Sequence, residues 1–71
     1  MQMETRKFNI EIYPENIIKQ AILDYRSIAN ITMQQENGYV VCVFCHTKYD
    51  VKLTVREFSN YLIELMDTMV L

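Results

Sequence analysis

Along Lys7-Phe8-Asn9-Ile10-Glu11-Ile12-Tyr13 polar and apolar positions alternate, with Phe8, Ile10 and Ile12 on one side and Lys7, Asn9 and Glu11 on the other. That period of two predicts a half-buried strand. Tyr13-Pro14 ends it, because proline brings no N–H to a ladder yet suits the first turn of a helix, and Glu15 stands where a carboxylate favours a helix N-terminus. From Glu15 to about Ala29 the residues Ile17, Ile18, Ala21, Ile22, Tyr25 and Ile28 recur at spacings of three and four, and Glu15 with Lys19 makes an i, i+4 pair. The spacing predicts a helix with one face in the core.

Asn30 to Gln35 reads as a second, more polar strand, followed by Glu36-Asn37-Gly38-Tyr39 and the only glycine of the chain. Asn-Gly between two extended runs signals a two-residue hairpin, since a type I′ turn needs positive φ at both central residues. The returning strand, Tyr39 to Cys45, is apolar on both faces: Val40, Cys42 and Phe44 point one way, and Tyr39, Val41, Val43 and Cys45 the other. This is the pattern of a central strand covered on both sides. Tyr49, Val51 and Leu53 alternate with Lys48, Asp50 and Lys52, which suggests a short fourth strand or a continuation. Thr54-Val55-Arg56-Glu57 matches a capping box, with Leu53 and Phe58 at the staple positions. The helix it opens carries Val55, Phe58, Leu62, Leu65 and Met69 as a stripe, widened by Tyr61, Met66 and Val70. Glu64 and Asp67 oppose its dipole, so packing must hold it.

The order strand, helix, strand, strand, helix predicts a two-layer α+β sandwich: a three- or four-stranded, mainly antiparallel sheet with two helices on one face. A crossover helix makes strands one and two parallel, and the hairpin strand enters between them, giving the order two, three, one. The 71 residues allow one domain, residues 1–71, and 51% apolar content with a single Gly and a single Pro excludes a disordered or linker-like chain.

Seven Lys or Arg against nine Asp or Glu, with no cluster of cations, argue against nucleic acid or an anionic membrane as partner. The polar stretch Met1 to Phe8 lacks the apolar run of a signal peptide, and no run approaches membrane-spanning length, so a cytoplasmic protein is expected. Two cysteines are too few for a disulfide framework and fit a reducing compartment.

Candidate chemistry is confined to Cys42-Val43-Phe44-Cys45-His46, which spells C-x-x-C-H and offers three metal-type ligands, Cys42, Cys45 and His46. In a strand, residues three apart face opposite sides about 10 Å apart, beyond the roughly 7 Å Cα limit for a disulfide. The β-branched and aromatic content favours the strand, in which both thiols are small buried hydrophobes and no cofactor is expected. A metal or haem site on these residues is the alternative. His46 is the only histidine, and Ser27 and Ser59 lie in predicted helices without the turn that exposes a nucleophile. Carboxylate pairs and phosphate-binding glycines are equally wanting, which argues against an enzyme. Five tyrosines, Tyr13, Tyr25, Tyr39, Tyr49 and Tyr61, exceed what so small a core can hold with every hydroxyl paired, and tyrosine suits a surface that is half dry.

Phe8, Tyr13-Pro14 with Ile17, Ala21 and Tyr25, and Glu57-Phe58 with Asn60 and Leu62 resemble the small HxsD proteins of His-Xaa-Ser peptide-modification systems. The resemblance implies an accessory protein working beside radical-SAM maturases and a His-Xaa-Ser repeat peptide, with no catalytic residues of its own. The reading is therefore a non-catalytic module that engages a peptide or partner enzyme. If both helices cover one sheet face, one apolar row of the central strand faces outward, and Val40, Cys42 and Phe44 are taken as the candidate interface of a homodimer.

Overall fold

The computed structural model describes residues 2–69, with Met69 described by its backbone only. Five elements follow one another: β1 (Glu4–Asn9), α1 (Glu15–Asp24), β2 (Asn30–Glu36), β3 (Tyr39–Cys45) and α2 (Val51–Met69). The three strands form one sheet in the order β1-β3-β2, with β3 antiparallel to both neighbours. This is the expected α+β architecture, with the doubly apolar strand in the centre.

Asn37 and Gly38 both have positive φ, 48° and 83°, and Glu36 pairs with Tyr39, so the hairpin closes over two residues as Asn-Gly predicts. That register sets Ile31 beside Phe44 and Met33 beside Cys42, while β1 brings Phe8 beside Val40. Apolar side chains therefore converge on one sheet face. Against it pack Ile17, Ile18 and Ala21 from α1 and Val51, Val55, Phe58 and Leu62 from α2, joined in a single buried cluster. Val40, Cys42 and Phe44 are 0% exposed, so the row taken as a candidate interface is the floor of the core. The outward row is Tyr39, Val41, Val43 and Cys45.

β1 opens at Glu4 rather than Lys7 and β2 ends at Glu36 rather than Gln35, and four further differences from the sequence reading each have a local reason. β1 stops at Asn9 because that residue starts a turn: its side-chain Oδ1 accepts from the Glu11 N–H at 2.9 Å, and its carbonyl accepts from Ile12 and Tyr13 at 3.0 and 2.8 Å. Ile10 and Ile12 continue the alternation in sequence but not in the sheet, and Ile12 is 60% exposed. α1 ends at Asp24, not near Ala29, since the Arg26 N–H turns to the Leu23 carbonyl at 3.3 Å and the Ile28 N–H to the Tyr25 carbonyl at 2.8 Å, each reaching three residues back where a helix reaches four. Tyr25 and Ala29 still reach the core from this turn, which is why the helical period outlasts the helix.

The other two differences share one cause. Residues 48–50 form no strand, and α2 starts at Val51 because Asp50 caps it: its Oδ2 accepts the Leu53 N–H at 3.0 Å, and its carbonyl accepts Thr54 N and Thr54 Oγ1, both at 2.9 Å. Thr54 is buried inside the first turn and Leu53 is exposed, so the cap lies one helical turn earlier than expected, and the expected capping box and staple are not formed. The stripe of α2 holds at Val55, Phe58 and Leu62, with Tyr61, Leu65 and Met66 packed against the cluster; the Met69 side chain and Val70 lie outside the described residues.

Phe58 is the hub of that stripe, with ring centroids 5.1 Å from Phe44, 5.3 Å from Tyr25 and 6.0 Å from Phe8. Edge-on aromatic pairs of this kind add to the area they bury. Two outcomes follow from these contacts. Asp50→Ala lowers stability by about 1 kcal/mol in urea titrations, whereas Glu57→Ala changes it by less than about 0.5 kcal/mol. Phe58→Ala, at a cost of roughly 3–5 kcal/mol against a domain whose core rarely supplies more, leaves the chain unfolded by far-UV circular dichroism at 25 °C.

Candidate functional site

The three residues of the Cys-x-x-Cys-His string are separated by the strand that carries two of them. Cys42 lies in the core beneath the helices, and burial pushes its thiol up from 9.0 to about 11. Cys45 stands on the opposite face, half-buried, its Sγ donating to the Asn30 carbonyl at 3.6 Å. His46 follows β3 with φ 50°, a left-handed residue that ends the strand, and its side chain borders a shallow hollow with Gln2, Thr47 and Asp50. No three metal-type ligands converge among the described residues.

The tyrosines divide between core margin and solvent. Tyr13 stands edge-on to Phe8 at 5.3 Å, and Tyr25 packs on Phe58. Tyr61 donates to Asp24 Oδ2 at 2.5 Å, while Gln20 Nε2 donates to Oδ1 of the same carboxylate at 2.9 Å. These two bonds anchor an acid at the C-terminal end of α1, where the helix dipole disfavours it, and the bond to Asp24 raises the Tyr61 hydroxyl pKa. Tyr39 and Tyr49 are exposed.

Two surfaces remain that could recognise another molecule. The first is the outer face of the sheet. Its centre is the row Tyr39, Val41, Val43 and Cys45, and its flanks are Thr5 and Lys7 on β1 and Thr32 and Gln34 on β2. Lys7 and Glu36 meet across β3 at 3.8 Å, one from each edge strand. Tyr39 is 42% exposed and the other three are half-buried, because neighbouring strands crowd them from both sides.

The second is a groove of about 300 Å³ between α1 and the free edge of β2, lined by Lys19, Ile22, Leu23, Ile31 and Met33. Leu23 is 53% exposed at its rim. Lys19 pairs with Glu15 at 3.0 Å, and Gln35 Nε2 donates to the other oxygen of that carboxylate, which ties α1 to β2 at one end of the groove. Neither surface was singled out by motif. The first follows from strand order and register, and the second also needs α1 beside the edge of β2.

The thiols provide a direct check. Native protein exposes one thiol to a disulfide reagent, Cys45, and the second reacts only in denaturant. Because ionising Cys42 is disfavoured in the fold, the unfolded chain loses its thiol proton first, so stability falls as pH rises from about 9 to about 11. Cys42→Ala reduces that alkaline decline in denaturation midpoints, beyond the uniform loss from its cavity, and the part that remains belongs to Tyr25 and Tyr61, whose hydroxyls the fold also holds protonated.

Among the described residues no helix is long and apolar enough to cross a membrane. Comparison with known proteins finds no matching family model, no matching curated protein and no matching solved structure.

Proposed function

We propose that this chain is a non-catalytic binding module that holds a partner enzyme or its peptide substrate in a peptide-modification system. The observation that carries the reading is the outer sheet face, where the apolar row of β3 is framed by polar side chains of β1 and β2 and has no layer of the described residues over it. An apolar centre with a polar rim is the anatomy of a protein interface. Resemblance to HxsD proteins directs the choice of partner toward a radical-SAM maturase and a His-Xaa-Ser repeat peptide. The placing of Cys42 and Cys45 on opposite faces of β3 supports recognition over metal or haem chemistry.

The test is titration of the purified chain with a His-Xaa-Ser maturase and, separately, with its repeat peptide. Binding to at least one is expected, and Val41→Glu and Val43→Glu weaken it by about tenfold or more while circular dichroism stays native. Absence of binding to both, or binding that the two variants leave unchanged, overturns the proposal.

A further inference from the structure

The two edges of the sheet are built differently. β1 carries Glu4, Arg6 and Lys7 among its six residues, the kind of charge that keeps an edge from pairing. β2 carries no charge from Asn30 to Gln35, and Glu36 is its last residue. Its outer backbone edge has no neighbouring strand among the described residues, and beside it runs the groove of Ile22, Leu23, Ile31 and Met33, whose one charged lining residue, Lys19, is paired with Glu15. From this asymmetry we infer that β2 pairs with β2 of a second copy of this chain, making a continuous six-stranded sheet with all four helices on one face.

Self-complementarity identifies the occupant. In a twofold antiparallel pair whose axis is perpendicular to the sheet, residues opposite one another must share a face, so their numbers sum to an even value. Centred on Thr32, the pairing sets Thr32 against Thr32, Ile31 against Met33 and Asn30 against Gln34. Apolar meets apolar on the helix side, amide meets amide on the outer side, and no like charges oppose. Centred one residue on, Met33 faces itself and Ile31 faces Gln35, a poorer match. Leu23, exposed in one copy, then borders the same groove of the other across the axis. A charged edge such as β1 places Arg6 on itself in one of its two central registers, and in neither does it offer an apolar row.

This association runs along the backbone edge of β2 and the groove beside it, whereas partner binding is assigned to the Val41 and Val43 row, so variants at Leu23 and variants at Val41 or Val43 distinguish the two. Sedimentation velocity of the full chain from about 5 to 500 µM is expected to show a monomer–dimer equilibrium. Leu23→Lys, at an exposed position, raises the dissociation constant by about tenfold or more with an unchanged circular dichroism spectrum. Register is read by crosslinking in a Cys45→Ser background: oxidised Thr32→Cys gives a covalent dimer, since directly opposed residues lie within disulfide reach, and Gln34→Cys does so far less. A wild type that stays monomeric throughout overturns the inference. So does a dimer indifferent to Leu23→Lys, or one that crosslinks through Thr5→Cys on β1 or only with added peptide.

Discussion

Phe58 is where the two layers are joined. Its ring meets Phe44 from the central strand, Phe8 from an edge strand and Tyr25 from the turn after α1, all between 5.1 and 6.0 Å. Sheet order, helix placement and the docking of residues 25–29 each depend on that meeting, because a domain of this size has a single core to share among them. The central strand must present its Val40, Cys42 and Phe44 row to α2, and the opposite row is thereby left outward. The surface available for recognition is in this sense a by-product of the core.

Local signals in the sequence carried much of this. The Asn37-Gly38 turn depends on two residues and their φ preference, and nothing distant competes with it. The stripe of α2 survives because Val55, Phe58 and Leu62 recur at helical spacing wherever the helix begins. Boundaries were less legible because two chemically adequate caps stand four residues apart. Asp50 prevails over Thr54 since starting earlier adds a turn and brings Val51 into the core, a gain set by packing that no capping motif encodes. At Asn9 the reverse occurs, and a side chain bonding its own backbone cuts short a strand that hydrophobic alternation would have extended.

The facing of β3 was legible in principle. With a two-residue turn, Ile31 and Met33 must share a face with Phe44 and Cys42, while Thr32 and Gln34 share the other with Val43 and Val41. The apolar half of β2 therefore names the buried row, although β3 alone does not. The β2 groove was harder to see, because it needs α1 to lie alongside the edge, and that position comes from Ile17, Ile18 and Ala21 finding the core. A motif-based search passes over it because backbone and aliphatic carbon are its only constituents apart from Lys19.

The pairing of β1 with β3 also sets an order of assembly during synthesis. Asn9 opposite Tyr39 is the nearest pair in sequence, and Glu4 opposite Phe44 the farthest, so β1 leaves the ribosome well before any residue it will bond. The β2–β3 hairpin, closed over two residues, can form as soon as it emerges, whereas β1 must wait for a loop that encloses α1 and β2 to close. During that interval the nascent strand is a solvated segment, and Glu4, Arg6 and Lys7 keep it from sticking to neighbouring chains. Charges of this kind disfavour edge pairing before the sheet exists as well as in the finished fold.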